Sequence, residues 1–304
     1  MESIMSTVLA LLLAPLYPGI LLKVKAFFAG KKGPPLMIKY LTLQKLLRKG
    51  SVYSESAGPV FRLGPVVSIA GAVLLLLFFP LAGREPLLSF HGDVILLLYV
   101  MGVMRFFTIL AALDTASPFQ GMGAAREALF GTLAEVSLLV IVILFYRMTG
   151  ALSFAGYFTG EVPIHLAGAG GALLLLVLVA LFMILLTENS RVPVDDPATH
   201  LELTMIHEVM ILDHSGPDLA LIELASMYRL LFYSSFLALI ICPFGSLGPA
   251  GVPLFYGVLA LVYAAIGVVE SVTARLKMNL VPKFILTSGT LVLFAVILTI
   301  GFVE

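Results

Sequence analysis

The chain has 304 residues, 60% hydrophobic and only 12% charged, with 18 basic and 18 acidic side chains and no formal net charge. Soluble domains carry about 25% charged residues, so this composition and a mean hydropathy of +1.09 exclude a soluble globular protein. The lone cysteine, Cys242, excludes an intrachain disulfide and an iron–sulfur cluster held by this chain, which needs about four ligands, mostly cysteine; no basic stripe interleaved with aromatics points to nucleic acid as a partner.

Apolar runs of about 20 residues match the length a helix needs to cross a ~30 Å hydrocarbon core. They do not alternate as barrel strands would. The fold class is therefore an all-α integral membrane protein, a single transmembrane domain over 1–304. Eight spans are expected at about 3–28, 63–83, 92–113, 126–147, 164–187, 220–242, 251–272 and 283–303. The first is too long, and lacks the basic start and small-residue cleavage site, for a secretory signal.

Half of all the basic residues fall from Lys23 to Arg62: Lys23, Lys25, Lys31, Lys32, Lys39, Lys45, Arg48, Lys49 and Arg62, with Glu55 the only acid there. Lysine and arginine bias marks cytoplasmic loops. The loop between the first two spans is expected inside, with the loops at about 114–125, 188–219 and 273–282, and both termini outside. Gly33-Pro34-Pro35 forces a turn, after which Ile38, Leu41, Thr42, Lys45 and Arg48 suit a short amphipathic helix at the interface. Its basic face, with Lys32 and Arg275, reads either as a patch that fixes orientation and touches anionic lipid or as a docking surface for a cytoplasmic subunit.

Arg105 lies inside the third span, and Asp114 to Gly123 reads as a turn leading into Arg126 and Glu127 at the start of the fourth. A buried arginine needs an acid, and Asp114 and Glu127 are the candidates in sequence. Glu127 and Glu135, eight apart, line one side of a helix. Glu135 has no nearby base in sequence, so it is expected either protonated or facing a wet cavity. Arg126 suits a structural ion pair at a helix end.

Residues 188–223 concentrate eight carboxylates: Glu188, Asp195, Asp196, Glu202, Glu208, Asp213, Asp218 and Glu223. A charge near the bilayer centre costs ~2.5–3.5 kcal/mol even on lenient scales, so a greasy chain that gathers acids here is handling protons, cations or a charged partner. The fifth span ends at Glu188, the segment after it cannot continue a helix through Pro193 and Pro197, and Asp196-Pro197 could start a new helix. On it His200, His207 and His214 would recur every seven residues on one face. A step of about 10 Å between them argues against a shared metal and for solvated or proton-relaying imidazoles. Glu270 suits a salt bridge with Arg275 or Lys277. No phosphate-binding glycine loop, nucleophile elbow or cofactor fingerprint is present.

The order Lys32-Gly33-Pro34, Tyr40 to Lys49, Asp114-x-x-Ser117-Pro118-Phe119-x-Gly121-x-Gly123-x-x-Arg126-Glu127, Glu188-Asn189-Ser190-Arg191-x-Pro193-x-Asp195, Asp213-His214-Ser215-Gly216 and Ala274-Arg275-Leu276 resembles the complex I subunit 1 family. It is most similar to the branch found in membrane-bound group 4 [NiFe]-hydrogenases and formate hydrogenlyase-type complexes, over about residues 12–285. The resemblance implies an eight-helix, non-catalytic subunit of an oxidoreductase complex in a prokaryotic cytoplasmic membrane. Its partners would be hydrogenase-like large and small subunits on the cytoplasmic side and antiporter-like membrane subunits. Nickel–iron and iron–sulfur centres would sit in the partners and none in this chain. Glu188, Asp195, Glu202, Glu127 and Glu135 fall where the family has its acidic funnel and the start of its proton channel. In quinone-reducing relatives the same loops shape the quinone chamber. Arg191-Val192-Pro193-Val194-Asp195 departs from the Lys-x-Pro-Phe-Asp of formate hydrogenlyase members, and Thr199 to Thr204 points to a sub-branch that includes hydrogenase-related complexes.

The leading expectation is a membrane subunit coupling electron transfer to ion translocation. The alternatives are a stand-alone cation/proton antiporter, which usually shows internal repeats that are not found here, and a purely structural anchor.

Overall fold

Proline and glycine interrupt the apolar runs, and the helices break there in the computed structural model, which describes residues 2–160, 163–166, 170–196 and 205–302. The first run is two helices, α1 (Glu2–Leu13) and α2 (Tyr17–Phe28), bent by 43°. Pro15 causes the break, because it has no N–H to donate and its ring clashes with the preceding turn. The Tyr40 hydroxyl, on the short helix α3 (Ile38–Leu47), donates to the Leu12 carbonyl beside that break. No residue of α3 is fully buried; Leu41 and Leu47 are exposed with Lys45 and Arg48, as an interfacial helix requires.

Seven long apolar helices follow in part or whole from the remaining runs: α4 (Pro59–Leu77), α5 (Asp93–Asp114), α6 (Pro118–Thr149), α8 (Gly171–Glu188), α10 (Gly216–Ile241), α11 (Gly251–Val272) and α12 (Val281–Phe302). With the bent pair counted as one span the total is eight, and no strand occurs among the described residues. Two short helices, α7 (Phe154–Phe158) and α9 (His207–Met210), lie in connections.

One expectation is corrected at α6. The turn placed over 114–125 is confined to 115–117, because Pro118 occupies the first helical turn, where its missing N–H costs nothing. At 32 residues, α6 is roughly 48 Å long and overshoots a ~30 Å core.

Successive helices return the chain to two ends. At the basic end Val52 N–H donates to Ser215 Oγ, Lys25 pairs with Glu270, and Arg275 pairs with Asp195. At the opposite end Arg84 pairs with Glu2 and donates to the Gly248 carbonyl, and Leu166 N–H donates to Ile240. There Phe79, Phe145, Phe154, Phe158, Phe232 and Phe236 pack largely edge to face, the geometry aromatic quadrupoles prefer. The most enclosed span is α10.

Candidate functional site

On α6 the residues at 127, 131 and 135 are four apart and share one face. Two are glutamates and the middle one is glycine. A Cβ at Gly131 would run into the Arg105 guanidinium, so the glycine lets α5 lay Arg105 across α6 between the two acids. Arg105 Nη1 donates to Glu135 Oε1 at 2.5 Å, Nη2 donates to Glu188 Oε1 at 2.6 Å, and Nε faces Glu127 Oε1 at 3.7 Å. Glu188 closes α8, an end where the helix dipole is unfavourable to an anion, and the guanidinium compensates it. Arg105 is 9% exposed and Glu188 6%, so each ion depends on the other for solvation. Three carboxyl groups thus converge on one guanidinium.

The network has two sides. Toward the basic end Glu127 and Glu188 line a cleft of ≈ 270 Å³ with Thr187, Ser190 and Asp195. Laterally Glu135 reaches a groove of ≈ 570 Å³ with Ile95, Leu98, Tyr99 and Leu139, where its side chain is 31% exposed. Glu135 was expected either protonated or beside a wet cavity; it is paired with Arg105 and also faces the groove. Asp114 is not a partner of Arg105. It accepts the Phe61 N–H at 3.0 Å, capping α4 from a neighbouring helix.

Asp195 is 1% exposed and ties the following loop together. Oδ1 pairs with Arg275 at 2.8 Å and accepts the Asp196 N–H, while Oδ2 accepts the Ile206 and His207 N–H groups, both at 3.1 Å. Burial raises its pKa, and Arg275 and the three N–H donors oppose that shift. Arg275 is thus committed to a loop contact as well as lying at the basic end. Glu270 pairs with Lys25 at 2.9 Å and Arg191 at 3.5 Å, not with Arg275 or Lys277. Arg126 donates to the Met205 carbonyl, which ties the start of the 205–215 segment to α6. Gly123 allows that approach, since a Cβ there would meet the Ile206 carbonyl at 2.9 Å.

The seven-residue histidine face is corrected within the described residues: α9 is a single turn, and His214 lies beyond it, stacked on Phe61 at 3.9 Å between ring centroids. His214 is buried and His207 partly so, not freely solvated. Burial pushes their pKa values down, to about 4 for His214 and about 3 for His207. Asp196 and Glu208 are half-buried, and Asp213 is exposed with Lys32, Lys45 and Arg48. Glu202 and His200 lie outside the described residues. Among those described, no group of three His, Cys, Asp or Glu could hold a metal ion. The sequence reading missed Lys25, Gly131, the Lys39–Glu223 pair at 3.0 Å between α3 and α10, and Arg229. Arg229 had a signal: it is the one basic residue in the sixth span.

The chain is 30% identical to "Hydrogenase-4 component C" of Escherichia coli (strain K12) over 78% of its length and 74% of that protein's. It is 29% identical to "Formate hydrogenlyase subunit 4" of the same organism over 89% of each chain. A chain of the membrane-bound sulfane sulfur reductase, an archaeal respiratory membrane complex, shares its fold with a TM-score of 0.82 at 19% identity, covering 98% of this chain and 99% of that one. The family described as NADH dehydrogenase matches residues 1–301. The chain belongs to that family, the complex I subunit 1-like membrane proteins, within its hydrogenase-related branch.

Proposed function

We propose that this chain is the membrane subunit through which an energy-converting redox complex couples electron transfer in its cytoplasmic arm to ion translocation in neighbouring membrane subunits. The observation that carries the reading is Arg105, which joins Glu188, on the cleft with Asp195, to Glu135, on the lateral groove. Unit charges 4 Å apart interact by about 4 kcal/mol at an effective permittivity of 20. A charge change or small movement in the 189–215 loop would therefore redistribute Arg105 among its three acids. The carboxylate left with less compensation would take up a proton, and the one gaining the guanidinium would release it.

Several finer assignments follow from this reading. The exposed basic face of Lys32, Lys45 and Arg48 suits docking of hydrogenase-like large and small subunits, with Asp213 exposed at the same end. The Glu135 groove suits an antiporter-like subunit, since ionisable side chains within spans face protein or a wet cavity and not lipid. Nickel–iron and iron–sulfur centres would sit in the partners, since a single cysteine cannot supply the several thiolates such clusters take. We assign the chain to the cytoplasmic membrane of a prokaryote, both termini outside.

The test is Glu135→Gln and Glu188→Gln in the assembled complex. Both variants should keep their partner subunits and lose proton translocation or its coupled redox activity. Wild-type pumping in both would refute the role. Cation/proton exchange by the isolated chain in liposomes would instead support a stand-alone antiporter.

A further inference from the structure

A half-open chamber, separate from the cleft and groove that flank Arg105, lies where α9 meets α4, α5 and α10. Its polar lining is Arg229, His207, His214, Ser226, Thr108 and Ser68. Arg229 is the one charged residue on these walls among the described residues. Its Nε is buried without an acceptor, as is His214 Nδ1. Among the described residues no carboxylate oxygen lies within ion-pair distance of Arg229; Glu127 is in electrostatic range, but its oxygen is turned to Arg105 and it does not line the chamber. Asp213 and Asp218 act on His214 from outside the lining.

The hydroxyls do not neutralise the guanidinium. Thr108 donates to the Met104 carbonyl and Ser226 to the Glu223 carbonyl. Both imidazoles are neutral near pH 7 because burial opposes their protonation, and a neutral imidazole keeps one N–H to donate. Among the described residues the chamber thus offers a cation and N–H donors and no carboxylate on its walls. A guanidinium presents its donors as a planar fork that matches a carboxylate. The remaining lining, including Met104, Met210, Ile211 and Ile222, is apolar and suits a short alkyl group.

We propose that this chamber binds a carboxylate, gripped by the Arg229 fork with an imidazole N–H of His207 or His214 as a further donor. The carboxylate is that of a small free acid or the polar end of a fatty acyl chain; the site chemistry is the same.

The test uses the full chain in detergent, in carboxylate-free buffer, titrated with acetate and with octanoate by calorimetry. Wild type and Arg147→Gln, which changes an exposed cation at the far end of α6, should bind saturably. Arg229→Gln should bind at least tenfold more weakly. Comparable affinities for acetate and octanoate support a small free acid, and octanoate tighter by tenfold or more supports an acyl chain. Absence of saturable binding of either probe to wild type, or unchanged affinity in Arg229→Gln, overturns the proposal. Should Arg229→Gln fail to fold, Arg229→Lys keeps the charge without the fork: weaker binding supports the assignment and undiminished binding overturns it.

Discussion

Arg105 and Glu188 are 83 positions apart in the chain, yet guanidinium Nη2 and carboxylate Oε1 are 2.6 Å apart in the fold. They bring together α5 and the end of α8, with α6 supplying the other two acids. Removing one member of a buried ion pair costs about 3–5 kcal/mol, because the survivor is left charged and unsolvated. Arg105→Gln should therefore destabilise the chain by about that much, with three acids left facing one another. Arg105→Lys should recover only part of the loss, since one ammonium cannot reproduce a fork spread across three partners. Thermal unfolding of the detergent-solubilised protein measures both, and a stable Arg105→Gln protein would mean that the acids are compensated elsewhere.

Gly131 carries no charge, yet its substitution should mimic the loss of Arg105. A side chain at this position meets the guanidinium directly. Gly131→Val is expected to lower coupled activity of the assembled complex at least tenfold, about 1.4 kcal/mol at the level of free energy. Gly257, where an added Cβ meets nothing, is the control: Gly257→Ala should leave activity within twofold, about 0.4 kcal/mol.

Asp114 should behave as a cap and not as a proton carrier. Its carboxylate satisfies the Phe61 N–H, one of the donors a helix start leaves free. Asp114→Ala should cost about 1–2 kcal/mol and increase proteolysis at the neighbouring basic residues Lys49 and Arg62. Asp114→Asn keeps an acceptor and should lose less. Coupling unaffected by Asp114→Asn would separate this residue from Glu135 and Glu188.

The histidine segment should loosen in acid. His207 and His214 have native pKa values of about 3 and about 4, below the usual 6.5. Between those limits the unfolded segment binds more protons than the native one, so stability falls as pH drops from about 6.5 toward 4. Asp213 and Asp218 oppose the shift at His214, and Arg229 reinforces it at His207. Hydrogen exchange over 205–215 should accelerate across that window, and a His207→Gln, His214→Gln double variant should flatten the response.

Charge reversal on α3 tests the basic face. Lys45→Glu with Arg48→Glu should release cytoplasmic subunits during purification while leaving the chain itself folded, because both side chains are exposed. Release should be mimicked in wild type by high salt, which screens exposed charges.

Composition and spacing by themselves determined the membrane class, the spans and the interfacial helix, because each depends on local physics: about 20 apolar residues, a proline that cannot continue a helix, a basic loop. The acid-rich stretch was also legible, as were Glu127, Glu135 and Glu188 as acids in need of a partner, since charge in a greasy chain stands out. Which charges meet was not. Asp114 looked like the partner of Arg105 and caps α4 instead; Glu270 has Arg275 five and Lys277 seven positions further on, yet it pairs with Lys25 and Arg191. Only the tertiary structure decided these pairings, because an ion's partner is set by the Cartesian distance between helices packed from distant parts of the chain. That distance depends in turn on single close-approach positions such as Gly131 and Gly123, whose effect is invisible until the opposing helix is in place.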